Sequence, residues 1–352
     1  MVDTREGNKL ELLKVHFNNN TSGKWFIDAI TGISLNPREG DKSDFFLIRD
    51  DLINTQSVAF LGTTGFALGR SIVPVVAHVQ GESVLRCLGT GFFISCSGLL
   101  VTAAHVITDP IERQYGGVSE HKDLTWYAKN LHLGVLIPRN QLFGAGGYFY
   151  RPVEYATFLS EPQDCMLPIS GVDLKLKSDI AICKVMAIRE EAPYQPLTIV
   201  QSGIVGKGMA VGKTATAVGY GGMRDVELIR ESAHVFSGEF SLDLYASRGV
   251  IEERFPDNFV EPCVPTPGPC FSAAMQLPGG MSGSPIFDEE GIYVHGVVSK
   301  GWVDENGPTR FGFGSMLAPS MGLPIRFLGD QSLLDLFEDD EHGFAKLRGP
   351  GL

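Results

Sequence analysis

Short segments rich in β-branched and aromatic residues recur along most of this chain, and glycine-rich turns separate them. Their spacing of roughly 8–12 residues is typical of antiparallel sandwiches and barrels. A parallel βαβ fold is disfavoured because the stretches between these segments lack helical patterns. The sequence therefore predicts an all-β protein. Its predicted strands cover residues 71–79, 83–95, 99–107 (ending in a single helical turn), 131–138, 147–156, 179–187, 214–222, 233–238, 285–288, 292–299 and 310–317.

Charge and hydropathy limit the classes of partner that the chain can bind. Its 352 residues include 29 Lys and Arg against 41 Asp and Glu, which gives a formal net charge of −12. Such an acidic balance argues against nucleic acid and against an anionic membrane surface as partners. No apolar run reaches the roughly 18 residues of a membrane-spanning helix, and the N-terminus lacks the apolar core of a secretory signal.

The cysteines indicate the redox environment. The six cysteines form no CxxC pair and have no histidine at zinc-ligand spacing. This pattern predicts reduced thiols, no metal site and a cytoplasmic location. Cys263 and Cys270 flank a proline-rich loop, and they are the candidate pair if the compartment is oxidising.

Three polar motifs, which contain His105, Asp179 and Ser282 in this order, each lie beside an apolar segment. A serine hydroxyl is a weak nucleophile that needs a neighbouring base, and a histidine can take its proton and return it to the leaving group. A buried carboxylate holds the imidazole in the right tautomer. Taken singly, Ala-Ala-His is more typical of a core histidine and Asp-Ile-Ala of a strand-opening aspartate, while the Gly/Ser/Pro run is equally typical of a tight turn. Together they predict a nucleophilic serine with its base and carboxylate, in the order His105, Asp179 and Ser282.

Glycines surround Ser282 in the run Gly279-Gly280-Met281-Ser282-Gly283. Glycine lets the backbone turn sharply and aim its N–H groups at the negative charge that develops on a substrate carbonyl. The predicted donors of this oxyanion hole are the amides of Gly280 and Ser282.

The motifs TAAH, DIA and GMSGSP, in this order, resemble those of the trypsin/chymotrypsin-like serine endopeptidases over roughly residues 70–325. The resemblance is closer to the bacterial HtrA-like and glutamyl-endopeptidase-like enzymes than to animal digestive proteases. It implies two antiparallel six-stranded β-barrels with short helices, one carrying His105 and Asp179 and the other carrying Ser282. It also implies that a protein or peptide substrate is hydrolysed through an acyl-enzyme, without a metal or an organic cofactor.

The resemblance also assigns substrate-binding roles. Ser299, in a Val-Ser-Lys-Gly strand, would support the buried aspartate and, with Lys300 and Gly301, bind substrate. Gln276 would lie at the bottom of the pocket for the residue that precedes the scissile bond. Because neither Gln276 nor Val298 carries a charge, we expect a neutral, small-to-medium apolar residue in that pocket.

Departures from the family's pattern shape further expectations. Met281 precedes Ser282, whereas animal enzymes have an aspartate there that pairs with a newly cut N-terminus. We therefore expect that the enzyme needs no proteolytic activation. The spacing of 74 residues from His105 to Asp179 indicates an insertion at about 108–170. Since only about 27 residues follow Pro324, we expect no PDZ-like region.

The expected organisation has three parts: an N-terminal extension over residues 1–66, a protease domain over 67–325 and a C-terminal helical tail over 326–352. The protease domain would divide into barrels at about 67–195 and 196–325. Two alternatives to a self-sufficient endopeptidase stay open. In one, a regulatory protein partner docks on residues 1–66 and activates the enzyme. In the other, the protease fold is a binding module whose triad is unused.

Overall fold

The computed structural model describes most of the chain between Gly69 and Phe337 and short pieces outside this range. The described residues are 11–17, 45–47, 69–113, 115, 119–122, 125–128, 130–138, 148–161, 175–186, 194–199, 209–231, 235–240, 242–256, 264–289, 291, 293–302, 311–322, 324–337 and 344.

Strands dominate the described chain. The first ten are β1 (Glu11–Phe17), β2 (Phe45–Leu47), β3 (Ile72–Val79), β4 (Val84–Phe93), β5 (Leu99–Thr102), β6 (Ser119–Lys122), β7 (Thr125–Ala128), β8 (Leu131–Pro138), β9 (Tyr148–Glu161) and β10 (Lys175–Val185). The next nine are β11 (Thr214–Gly221), β12 (Val226–Glu227), β13 (Ile229–Arg230), β14 (Val235–Phe240), β15 (Asp243–Phe255), β16 (Cys270–Ala273), β17 (Pro285–Phe287), β18 (Val294–Trp302) and β19 (Phe311–Met316).

The described helices are short. They are α1 (Ala104–Glu112) and α2 (Leu333–Phe337), with 3-10 turns at Ala318–Gly322 and Arg326–Leu328. Among these described helices, none has both the length and the hydropathy that crossing a bilayer requires.

The first barrel is formed by six antiparallel strands in the order β10, β5, β4, β3, β8 and β9, and β9 pairs back with β10. Its interior is filled by fully buried apolar side chains, of which Val75, Phe92, Leu100 and Val135 have no exposed surface. Closure of the ring pairs every strand on both sides, which removes free edges from the barrel.

The second barrel has the same construction. Its strands follow the order β11, β17, β18, β19, β16 and β15, and β15 closes the ring on β11. Close backbone approach here depends on glycine: a Cβ on Gly249 would lie 2.2 Å from the Ala274 carbonyl oxygen. These two closed barrels confirm the predicted all-β, trypsin-like double-barrel fold.

Segments outside the two rings also pair with them. β1 pairs with β14 and, in parallel, with β9, while β2 pairs with β15. β12 pairs with β4, so the chain returns to the first barrel's sheet between two strands of the second barrel. The division at residues 66, 195 and 325 stays a prediction.

Differences from the expected elements have physical reasons. The helical turn predicted after Thr102 is a nine-residue helix, because Ala104, Ile107 and Ile111 form a buried helical face despite Pro110. Strands β15 and β16 were not predicted. Within the insertion expected at 108–170, β8 and β9 are barrel strands, and the described addition is the separate β6–β7 hairpin.

The C-terminal segment packs into the interior. On α2, Leu333 and Leu336 are fully buried and join the same hydrophobic cluster as the residues of β3, β4 and β5. Phe337 packs on Phe344 with ring centroids 4.5 Å apart, and Phe344 forms a β-bridge with Ser95. Among the described residues of the expected tail, Leu333–Phe337 is α-helical and Arg326–Leu328 is a 3-10 turn.

Candidate active site

His105 and Asp179 meet because their elements are neighbours. His105 lies in the first turn of α1, directly after β5, and Asp179 lies in the adjacent strand β10. The antiparallel register puts Ala181 opposite Thr102, so Asp179 lies beside the start of the helix. The Asp179 carboxylate accepts hydrogen bonds from His105 Nδ1 at 2.8 Å and from the His105 backbone N–H at 3.0 Å.

This geometry selects one form of the imidazole. With Nδ1–H donated to Asp179, a neutral His105 ring keeps its lone pair on Nε2, which can then accept a proton. The Asp179 side chain is 2% exposed, whereas that of His105 is 17% exposed. The carboxylate is thus shielded from water while part of the imidazole remains accessible.

Ser299, in β18 of the second barrel, supplies another donor to the carboxylate. Its Oγ donates a hydrogen bond to Asp179 Oδ2 and is itself hydrogen-bonded to Thr266 Oγ1. Because the Ser299 proton goes to the carboxylate, the Thr266 hydroxyl is the donor of the second bond. A hydrogen-bond chain therefore runs from Thr266 through Ser299 and Asp179 to His105.

Ser282 occupies the tight turn that leads into β17. Its Oγ donates to the Ser299 backbone carbonyl at 3.0 Å. No hydrogen bond joins the His105 ring to Ser282, both of which lie in the described part of the chain. Ser299 thus contacts Ser282 through its carbonyl and Asp179 through its hydroxyl.

The turn around Ser282 leaves two backbone amides without acceptors. Among the described residues, the N–H groups of Gly280 and Ser282 donate no hydrogen bond, whereas the amide of Met281 between them bonds to the Pro278 carbonyl at 3.2 Å. Gly280 has a φ of 95°, a conformation that favours glycine. Met281 is fully buried and anchors the turn in the second barrel's core.

Burial and charge shift the two ionisable groups in opposite directions. Burial lowers the pKa of His105, but the Asp179 charge and hydrogen bond, aided by the charge of Asp109, outweigh it and raise this pKa above its ordinary 6.5, against a small opposing effect of Lys300. Burial raises the pKa of the Asp179 carboxyl, but hydrogen bonds and the charge of His105 lower it overall. Asp179 therefore stays ionised near neutral pH.

The residues predicted to bind substrate lie at different places. Lys300 and Gly301 follow Ser299 in β18, paired with Phe313 and Gly312 of β19. The side chain of Lys300 is exposed, and its charge reaches His105. Gln276 is also exposed. None of the hydrogen bonds among described residues joins Gln276 or Gly301 to His105, Asp179 or Ser282.

In the described part of the chain, no group of three or more His, Cys, Asp or Glu side chains lies close enough together to hold a metal ion. Described cysteines with free thiols include Cys87, Cys183 and Cys270. Cys263, the other half of the candidate pair, lies outside the described residues.

Two residues of this site were missed by the sequence analysis. Thr90 contacts the turn around Ser282, and Thr266 contacts Ser299. Thr90 carried a usable signal, because it is a polar residue between glycines in the apolar strand GTGFFIS. Thr266 carried none, since it lies in an irregular proline-rich loop.

The chain belongs to the family of trypsin-like peptidase domains, whose pattern matches residues 89–296. It is therefore a peptidase, a hydrolase whose substrates are proteins or peptides. No curated protein sequence matches the chain.

Three solved structures are similar to this chain. Deg5 has 16% identity and a TM-score of 0.42, covering 75% of this chain and 89% of its own. An inactive mutant of Rv3671c from M. tuberculosis H37Rv has 19% identity and a TM-score of 0.37, with coverages of 76% and 88%. The protease Anisep from Arthrobacter nicotinovorans has 12% identity and a TM-score of 0.40, with coverages of 70% and 90%.

Proposed function

We propose that this peptidase is a serine endopeptidase in which Ser282 is the nucleophile, His105 the general base and Asp179 the carboxylate that orients it. The observation that carries the proposal is the hydrogen-bond connection through Ser299, which links the Ser282 hydroxyl to the buried Asp179–His105 pair. The free amides of Gly280 and Ser282 support an oxyanion hole, because they are donors without an acceptor beside the nucleophile.

The proposed reaction has two halves. Rotation of the Ser282 hydroxyl from the Ser299 carbonyl toward His105 Nε2 lets the imidazole take the proton while Oγ attacks the substrate carbonyl. The negative oxygen of the tetrahedral intermediate accepts hydrogen bonds from the two free amides, and the imidazolium then protonates the leaving amine. Water, deprotonated by His105, hydrolyses the acyl-enzyme and regenerates Ser282.

A fluorophosphonate probe tests this proposal directly. We expect the purified full-length chain to be labelled at Ser282, with the modified peptide identified by mass spectrometry and the N-terminus confirmed intact in the labelled chains. We expect intact chains to be labelled because Met281 is buried, so packing would order the turn around Ser282. The turn would then need no newly cut N-terminus. Labelling confined to N-terminally trimmed chains would contradict this expectation.

One observation favours the alternative of a binding module with an unused triad. The Ser282 hydroxyl donates to the Ser299 carbonyl, whereas an activated serine donates to its base. Hydrogen bonds of a catalytic site are often longer or misaligned before substrate binds, so this geometry also suits an active enzyme. Absence of labelling, both alone and with cell lysate, would support the binding module. Labelling only with lysate would support activation by a regulatory partner.

The pH dependence of hydrolysis should report the charges around His105. Only the neutral imidazole accepts the serine proton, so kcat/KM should fall as the pH drops through the raised pKa of His105, with a midpoint above about 6.5. Asp109→Asn removes a charge that raises this pKa, and should move the midpoint to lower pH. Lys300→Gln removes a charge that lowers it, and should move the midpoint to higher pH.

The pair of variants controls for general damage. A loss of fold or of substrate affinity would change the rate without moving the two midpoints in opposite directions. A profile that stays flat between about pH 5 and 8 would remove His105 from the role of general base.

We also propose a cytoplasmic location. The free thiols of Cys87, Cys183 and Cys270 support it, because cysteines persist in reduced form in that compartment. Differential alkylation of the protein in freshly lysed cells tests the proposal, and oxidation of most of these thiols would contradict it.

A further inference from the structure

The backbone carbonyls of the four residues from Gly279 to Ser282 all accept hydrogen bonds. Gly279 O accepts the Gly222 amide at 2.8 Å, and Met281 O accepts the Ser284 amide at 3.0 Å. The two remaining carbonyls belong to Gly280 and Ser282, which are the residues whose amides are the proposed oxyanion donors.

Both of these carbonyls bind the same residue. Thr90 donates its hydroxyl to Gly280 O at 2.9 Å and its backbone N–H to Ser282 O at 2.8 Å. Thr90 lies in β4 of the first barrel, so these bonds cross from one barrel to the other. Its side chain is fully buried, which shields both bonds from competition with water.

The Thr90 hydroxyl is itself fixed in direction. Its oxygen accepts the Tyr220 backbone N–H at 3.1 Å, so the hydroxyl proton is left to point at Gly280 O. The Thr90 backbone is held by the pairing of β4 with β3 and β5, and its carbonyl also accepts the Thr102 hydroxyl at 2.7 Å. Neighbouring strands of both barrels therefore hold this threonine in one orientation.

We propose that Thr90 is a positioning residue that holds the oxyanion loop, with the amides of Gly280 and Ser282 free to bind substrate. The inference rests on the proposed function and adds the residue that orders its oxyanion hole. A peptide unit is planar, so a bond to the oxygen of one residue fixes the N–H of the next. The Gly279 and Met281 carbonyl bonds thus fix the Gly280 and Ser282 N–H groups, and the two Thr90 bonds hold the peptide unit on the other side of each of these Cα atoms. The Gly222 amide holds the unit before the Gly280 Cα, and the Thr90 hydroxyl holds the unit after it.

Gly280 needs restraint of the peptide units on both sides of its Cα because glycine is conformationally free. Gly280, with a φ of 95°, has access to many other conformations at little steric cost, and in most of them its N–H points elsewhere. Donors accelerate the reaction when they are already aimed at the developing charge. Thr90 therefore preorganises the hole from within the chain, without an activating partner.

Thr90→Val and Thr90→Ser test the proposal in the full-length chain. Valine keeps the size and branching of threonine but lacks the donor, and serine keeps the donor. We expect Thr90→Val to lower kcat on fluorescein-labelled casein by about 10- to 100-fold with KM nearly unchanged, because removal of one oxyanion donor outright costs about 10²–10³ in kcat. Fluorophosphonate labelling should slow in parallel. Thr90→Ser should restore most of both rates.

Thr102→Val is the matched control. Its hydroxyl is equally buried and also donates to a backbone carbonyl, but that carbonyl belongs to Thr90 rather than to the oxyanion loop. We expect Thr102→Val to lower the melting temperature about as much as Thr90→Val does, while kcat falls by less than about threefold.

The outcomes separate the inference from the proposed function. Wild-type chains that never label at Ser282 would overturn the proposed function itself. If wild type labels but Thr90→Val keeps its full kcat, or loses no more than Thr102→Val, Thr90 has no positioning role. If Thr90→Val fails to fold, a Thr90→Ser variant as slow as a Thr90→Ala variant that folds would likewise overturn the inference.

Discussion

Ser282→Ala is expected to abolish peptide hydrolysis while the protein stays folded. Removal of the nucleophile cost on the order of 10⁶ in kcat in a serine protease where it was measured. Among the described residues the Ser282 hydroxyl makes a single hydrogen bond, to a backbone carbonyl, so the free energy of unfolding should change by less than about 1 kcal/mol. Casein hydrolysis and thermal unfolding measure the two quantities on the same preparation.

Ser284→Ala provides the control in the same turn. Its hydroxyl is fully buried and has no hydrogen-bond partner in the part of the chain that the structure describes, so its removal should be close to neutral for stability and for activity. If Ser282→Ala keeps more than a few per cent of the wild-type rate, or if Ser284→Ala proves as inactive, the nucleophile has been assigned to the wrong serine.

Asp179→Asn is expected to lower kcat by roughly 10⁴, the loss found for the equivalent change in a trypsin-like enzyme. Asp179 accepts the His105 backbone N–H at Oδ1 and the Ser299 hydroxyl at Oδ2. Because a backbone N–H can only donate while a hydroxyl can also accept, the amide oxygen of an asparagine would stay at the Oδ1 position. Its NH₂ group would then face Nδ1 and favour the imidazole tautomer that carries its proton on Nε2. That tautomer cannot accept the serine proton.

Rival carboxylates near this position provide the comparison. Asp164 and Asp173 precede Asp179 in sequence and lie outside the described residues. We expect Asp173→Asn to leave kcat within a few-fold of wild type. Should Asp173→Asn be the more damaging change, the carboxylate partner of His105 would have to be reassigned.

The chemistry of the site could be predicted from the sequence because short local motifs contain its functional residues. TAAH, DIA and GMSGSP each place a functional side chain beside an apolar strand, and their order along the chain identified His105, Asp179 and Ser282 as one set. The contacts that residues outside these motifs make with the site could not be predicted. Thr266 reaches the site through the packing of the two barrels, which no local pattern encodes, whereas the position of Thr90 between two glycines marked the residue but not its partners.

The two unpredicted barrel strands show the same limit for the fold. In β15, Ser247 and Gly249 stand at buried positions, and charged residues such as Glu253 occupy its exposed face. Gly249 is small because the Ala274 backbone lies against it. An alternating pattern of large apolar residues therefore never forms, although the strand is buried on one side along much of its length.

The burial of α2 and Phe344 has a consequence for biosynthesis. These C-terminal residues complete a hydrophobic cluster that otherwise belongs largely to strands made much earlier, between Ile72 and Val185. At translation rates of roughly 5–20 residues per second, α2 is synthesised on the order of ten seconds after those strands. A nascent chain therefore displays an incomplete apolar core to chaperones during this interval. Because His105 and Asp179 belong to that unfinished barrel, we expect peptide hydrolysis to begin only after the chain has left the ribosome.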